Sequence, residues 1–182
     1  MKSPVQAGSA RKLRIGWFTF TCSEDSSIVL VELMNRHYFE WKDRIDFAHV
    51  RILKSNNDMK NLDVAFVEGA ISGKRDEENL KKVRENCKRL VAIGACAVTG
   101  LPAGQRNSFS PDQMEKIRPF LKLHRLNEKV EPVKKCVHVD AEVPGCPMDE
   151  KMFLAVLDRY FAEFGVGTRN AKQETGNAPG AA

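Results

Sequence analysis

Apolar residues in this chain gather into short dense runs separated by polar, helix-length stretches, the pattern of a protein that alternates strand and helix. Residues 12–20 form a first run apolar enough to lie inside a sheet, and the polar turn TCSEDSS follows it. Residues 28–39 then carry helical spacing at Ile28, Val31, Leu33, Met34 and Tyr38, with Ser23, Asp25 or Ser26 placed to cap that helix. Residues 45–53 alternate loosely and predict a second strand. The run LDVAFV at 62–67 is continuous, as expected of a strand buried on both faces. Glu68-Gly69 breaks it, and 76–87 reads as a strongly charged amphipathic helix. RLVAIGA at 89–95 predicts another buried strand, ending at Gly94-Ala95-Cys96. Residues 99–119 look irregular, with LPAGQRN resembling an ordered loop, and a helix is expected over 111–121. Residues 137–139 predict a short last strand before the turn VPGCP. A final helix over 149–164 puts Phe153, Val156, Leu157, Tyr160 and Phe161 on one face.

Alternating strands and helices predict an α/β fold: a three-layer sandwich around a parallel sheet, flavodoxin-like in order. No internal repeat is visible. The expected organisation is a flexible N-terminus (1–11), one domain (12–164) and a disordered tail (165–182), because TRNAKQETGNAPGAA is polar and small.

With 182 residues, 42% of them hydrophobic and 29% charged, the chain has the composition of an ordinary globular domain with a real core. No run is long and apolar enough to span a bilayer, and MKSPVQAGSARK lacks the apolar stretch of a secretory signal. A cytoplasmic location is the simplest expectation. The net charge of +5 raises the question of nucleic acid. However, the basic residues interleave with acidic ones, as in KRDEENLKKVRENCKR, which reads as a solvated helix face. Aromatic residues do not accompany them, so nucleic-acid binding is not expected.

A reducing compartment makes the five cysteines candidates for metal binding rather than disulfides. Ligands of open parallel sheets gather outside the carboxyl ends of the strands. Cys22 follows the first predicted strand, Cys96 ends the fourth, Cys146 lies in the turn after the fifth, and Glu68 ends the third. Three thiols and a carboxylate thus converge on one rim. Small residues flank two of the thiols, in Gly94-Ala95-Cys96-Ala97 and Pro144-Gly145-Cys146-Pro147, so the main chain can approach a bound group closely. Thiolates select an iron–sulfur cluster or zinc over hard cations; buried free cysteines that simply fill space are the competing explanation. Cys87 and Cys136 fall at no strand's carboxyl end and read as structural.

The segments Val67-Glu68-Gly69-Ala70, CKRLVAIGACA (87–97), GLPAGQRN (100–107) and Pro144-Gly145-Cys146-Pro147 resemble, in order, the small subunit of nickel–iron hydrogenases. The closest pattern is that of the cytoplasmic NAD(P)-linked, sulfhydrogenase and F420-reducing types, in the family that includes the 20 kDa subunit of NADH:quinone oxidoreductase. The resemblance spans roughly residues 12–160. It implies a flavodoxin-like domain with one proximal 4Fe–4S cluster, and it matches Cys22, Cys96 and Cys146 to three of the ligands. Cys22-Ser23-Glu24 is similar to the Cys-x-Glu after the family's first cysteine pair. By the same resemblance Glu68 stands at the cluster rim, with a role at the subunit interface or in proton movement; a carboxylate at a helix start is the alternative. The implied partners are a nickel–iron large subunit and a diaphorase or ferredoxin-like subunit, in a hetero-oligomeric hydrogenase where this chain does no bond chemistry itself. No cysteine-rich C-terminal region and no twin-arginine signal are present, which points away from the periplasmic type.

One departure stands out. Where the family has Cys-x-x-Cys after the first strand, the first position here is Thr19. The candidates for a fourth, oxygen ligand are Asp58, Asp25 and Glu24; a three-iron or solvent-ligated cluster is the other outcome. Gln105, Arg106 and Asn107 are candidates for hydrogen bonds across a subunit boundary. Two rival functions remain at this stage. A phosphate- or flavin-binding module would use Thr19, Thr21, Ser23, Ser26 and Ser27 as donors at a helix N-terminus, against the repulsion of Glu24 and Asp25. An electron-relay paralogue in a non-hydrogenase complex is kept open by Thr19.

Overall fold

The computed structural model describes residues 11–167. Strand β1 (Leu13–Thr19) leads through helix α1 (Asp25–Arg36) and a short α2 (Tyr38–Trp41) to β2 (Ile45–Val50). Then follow β3 (Leu62–Glu68), β4 (Ile71–Gly73), α3 (Lys74–Glu85), β5 (Cys87–Ile93) and α4 (Gly94–Thr99). A 3-10 turn (Gln105–Ser108), α5 (Pro111–Leu123), β6 (Leu126–Glu131), α6 (Val133–Cys136), β7 (Ala141–Val143) and α7 (Glu150–Glu163) complete the order. Five strands form one sheet in the order β2-β1-β3-β5-β7, every neighbouring pair parallel, as expected of a flavodoxin-like sandwich.

The central strands bury both faces, and their alternation divides the core in two. Ile15, Trp17, Val64, Phe66, Val91 and Ile93 face α1 and α7; Ala65, Val67, Leu90 and Ala92 face the side of α3 and α4. On the first side Trp17, Phe66 and Phe153 bring their ring centroids within 5.3–6.1 Å of one another. Helix α7 buries Phe153, Leu157, Tyr160 and Phe161 as its spacing predicts. Each such side chain contributes about 1.5–3 kcal/mol of transfer free energy.

Helix α1 turns a different face inward from the one its apolar spacing suggests. Leu30 and Leu33 are buried with Ser26 and Ser27, while Ile28 and Tyr38 are each 57% exposed. The reason lies at the helix start, where the two serines are drawn inward by a buried carboxylate. The last strand also differs from expectation. It forms at Ala141–Val143 rather than 137–139, because Asp140 Oδ2 accepts from the Leu90 N–H and the Asp140 N–H donates to the Leu90 carbonyl. Regular pairing to β5 starts only after that contact.

β4 and β6 form a two-stranded antiparallel ribbon, while the stretch that looks irregular in sequence (99–119) holds the 3-10 turn and the start of α5. Arg106 and Asn107 hydrogen-bond to this ribbon. Arg106 Nη2 donates to the carbonyls of Ser72 (3.0 Å) and Asn127 (2.9 Å). The Asn107 amide exchanges two hydrogen bonds with the Val130 backbone, at 2.7 and 2.8 Å. Gln105 is exposed. The expected flexible N-terminus and tail fall mostly outside the described residues. At the margins, Arg11 reaches Asp63 at 3.0 Å and Val166 is buried, so both are tied into the domain. Among the described residues no helix is long and apolar enough to cross a membrane.

Candidate iron–sulfur site

The carboxyl ends of four strands form one straight row. Thr19 of β1 pairs with Glu68 of β3, Glu68 with Ile93 of β5, and Ile93 with Val143 of β7. Counting three residues on from Thr19, Ile93 and Val143 gives Cys22, Cys96 and Cys146. Equal offsets from a common row carry the three thiols, from loops up to 124 residues apart in sequence (146 − 22), to one cleft. Ser23, Asp25, Ser26 and Glu68 share that cleft with them.

Each loop is held by its own backbone contacts. The Cys22 loop is stitched to the residues after β3: the Thr21 N–H donates to the Ala70 carbonyl (3.1 Å) and the Ala70 N–H to the Thr21 carbonyl (2.9 Å). Gly69 makes this possible, since its φ is +93° and a Cβ there would stand 2.8 Å from the carbonyl carbon of Phe20. Cys96 sits in the first turn of α4, whose Ala95 N–H donates to the Gly145 carbonyl at 2.7 Å. That bond joins the second loop to the third. Gly145 has φ +114°, and a Cβ on it would meet the Pro147 carbonyl oxygen at 2.5 Å. Cys146 is exposed, Cys22 half-buried and Cys96 buried.

Glu68 is 3% exposed and has a definite employment. Its Oε1 accepts the Ser26 N–H (2.9 Å) and its Oε2 the Ser27 hydroxyl (2.7 Å), while the Trp17 indole N–H donates to Ser27 Oγ (2.8 Å). Glu68 therefore caps α1 from a neighbouring strand, the alternative that its position at a helix start already offered. No side chain of the helix's own N-cap does so: Glu24 holds that place with φ 63° and makes no capping bond. The same geometry disposes of the phosphate-binding rival. An anion at this helix start would have to displace a carboxylate that already takes its donors.

The electrostatics of the cleft are one-signed. Burial pushes the Cys22 thiol up to about 12; the Glu24 N–H opposes the rise, and Glu68, Cys96 and the Glu24 carboxylate add to it. Burial likewise raises the Cys96 thiol, against a hydrogen bond from the Ala103 N–H and with help from Cys146, Glu68 and Asp25. Without a metal these thiols stay protonated at neutral pH. Holding Cys22 and Cys96 as thiolates requires positive charge from a bound group, as iron supplies.

The oxygen candidates separate cleanly. Asp25 lines the cleft, and the Cys146 thiol points to its Oδ2 at 3.8 Å. Asp58 lies far from it in the fold, with its Oδ2 at 2.6 Å from Arg14 Nη2 near the amino end of β1. Glu24 lines a neighbouring cleft together with His49, and so does the exposed Thr19. Cys87 starts β5, within 3.3 Å of Arg84 Nη1, and Cys136 ends α6; both pack at the edge of the α3-side core. Among the described residues no three His, Cys, Asp or Glu side chains close on a single metal ion. A cluster places its thiolates on different irons and so needs ligands that stand apart around a cavity. Three thiols on one rim fit that demand, and a single tetrahedral zinc fits it less well.

Comparison with known proteins finds relatives among redox-enzyme subunits. The model of the family described as the NADH ubiquinone oxidoreductase 20 kDa subunit matches residues 24–160. The NAD-reducing hydrogenase HoxS subunit delta of Cupriavidus necator is 33% identical over 111 residues, covering 52% of this chain and 53% of that protein. The sulfhydrogenase 2 subunit delta of Pyrococcus furiosus is 30% identical over 151 residues, covering 80% of this chain and 61% of that one. The chain thus spans little more than half the length of these curated relatives. In fold it resembles a chain of the NAD+-reducing nickel–iron hydrogenase in its H2-reduced state, with a TM-score of 0.68 at 23% identity, covering 89% of this chain and 97% of that one.

Proposed function

Because the chain belongs to the family of the NADH:ubiquinone oxidoreductase 20 kDa subunit, we propose that it is the electron-transfer small subunit of a nickel–iron hydrogenase. In this reading Cys22, Cys96 and Cys146 hold one 4Fe–4S cluster. The observation that carries it is the common row of strand ends, which brings those three thiols and no others to one cleft. When bound, the cluster supplies a one-electron carrier whose potential depends on ligand type, hydrogen bonds to sulfur and burial.

The chain's own residues do the rest. The hydrogen bonds at Thr21–Ala70 and Ala95–Gly145 fix the loops, so the ligands keep their positions as the carrier changes charge. Glu68 holds α1 against the sheet, which sets the height of the Cys22 loop and of Asp25 above the rim. Cys146 stands at the surface, giving an edge of the site access to a partner, whereas Cys96 is sealed beneath Ala70, Ala103 and Val130. A large subunit with a nickel–iron centre on one side and a diaphorase or ferredoxin-like subunit on the other are the proposed partners. A cytoplasmic enzyme suits five free thiols.

The test is hydrogen-dependent reduction of a soluble acceptor by the complex of this chain with its large subunit. Cys96→Ser is expected to abolish turnover while the large subunit still co-purifies. An unchanged rate would reject the assignment.

A further inference from the structure

Three cysteines leave a four-iron cluster one ligand short, since such clusters ordinarily take one protein ligand on each of four irons. We propose that the Asp25 carboxylate, the first residue of α1, is the fourth ligand. This inference rests on the cluster reading above and narrows it to one atom group.

Four observations converge on Asp25. It lies in the cleft with all three thiols, a place shared by neither of the other two carboxylates that sequence offers. Its Oδ2 is 3.8 Å from Cys146 Sγ, a contact bridging 121 positions of sequence, so the fold brings the pair together. The only other bond to its carboxylate among the described residues is from the Ser23 hydroxyl, also to Oδ2 at 2.8 Å. Oδ1 makes no hydrogen bond among the described residues. Finally, no lysine, arginine or histidine forms an ion pair with it among the described residues, whereas Asp58, a rival candidate, is paired with Arg14.

The chemistry is consistent with this placement. As ligands a thiolate and a carboxylate this close repel each other, and a cation between or beside them offsets that repulsion. Oxygen is a harder ligand than thiolate, so the iron it holds is the one most easily exchanged or lost. Ser23 then acts as a positioning residue that holds the carboxylate by its Oδ2 edge.

The test compares iron content and electron paramagnetic resonance of the full chain, purified anaerobically, for wild type, Asp25→Ala, Asp25→Cys and Asp58→Ala. Wild type and Asp58→Ala are expected to carry about four irons per chain. Asp25→Ala is expected to fall to about three, with the oxidised-state signal of a three-iron cluster, and Asp25→Cys to restore about four with altered resonance. Far-UV circular dichroism of each variant identifies a chain that has failed to fold; should Asp25→Ala do so, the altered resonance of Asp25→Cys decides. About four irons and an unchanged spectrum in both Asp25 variants would overturn the ligand assignment and leave the cluster standing. No iron in the wild type would overturn both.

Discussion

The two ends of the parallel sheet handle charge in opposite ways. At the amino end Asp46, Asp58 and Asp63 each have a cation. Asp63 takes Arg11 (3.0 Å), Lys88 (2.7 Å) and the Arg14 N–H (3.1 Å), and the Arg14 guanidinium bridges Asp46 and Asp58. At the carboxyl end Glu68, Asp25 and three thiols crowd one cleft, and the charges acting most strongly on Cys22 and Cys96 are all negative. The first end is complete as protein. The second is arranged for a positive charge that the described residues do not supply, and this asymmetry is the strongest physical argument for a bound metal cluster. It also separates the cysteines. Cys87 has a cation in Arg84, whereas the charges acting on Cys22 and Cys96 are negative.

Four experiments would break or sharpen this contrast, the largest effect first. Replacing a rim cysteine should empty the site: Cys96→Ser and Cys146→Ser should lose most iron and acid-labile sulfide, while Cys87→Ser and Cys136→Ser keep it. Equal losses at all four positions would erase the distinction. Next, Glu68→Ala leaves the Ser26 N–H and the Ser27 hydroxyl without their acceptor, at a cost of roughly 3 kcal/mol in urea denaturation. A loss below about 1 kcal/mol would mean that the α1 cap is not structural.

At the amino end, burial tends to raise the Asp63 pKa, but the hydrogen bonds from Lys88 and the Arg14 N–H and the charges of Lys88 and Arg11 hold it below its ordinary value of 3.8. A depressed folded-state pKa means stability that is present above the unfolded-state value and lost as pH falls through the folded one. Asp63→Asn should therefore lower stability by about 1–2 kcal/mol at neutral pH. The gap to wild type should close below pH 4, as the wild-type carboxyl takes up its proton. A gap constant with pH would contradict the assignment. The smallest effect is expected at Asp58, which is exposed: Asp58→Ala should leave hydrogen-dependent turnover unchanged.

The fold is most legible in the sequence where one physical rule dominates. The runs of β3 and β5 are apolar because both faces are covered, and so they declare themselves; α7 has a clean stripe because one face is covered and the other is not. The rim cysteines were legible because strand ends are where an open sheet places ligands. Reading failed where a polar contact overrode periodicity. Ser26 and Ser27 displace Ile28 from the inner face of α1 because Glu68 binds them, and Asp140 postpones the last strand by taking the Leu90 N–H. The β6 strand, LNEKVE, buries little beyond Val130, so its alternation carries almost no signal. Neither could the meeting of Asp25 with Cys146 be seen, since it depends on how two distant loops are stitched rather than on either segment alone.

The central claim is that the carboxyl rim holds an iron–sulfur cluster, and it is met most directly by metal analysis of the full chain purified without oxygen. Iron, zinc and acid-labile sulfide should be measured per chain, with electron paramagnetic resonance in the oxidised and reduced states. The account predicts about four irons and about four sulfides, with a cluster signal on reduction. Zinc without sulfide, or no metal at all, would contradict it.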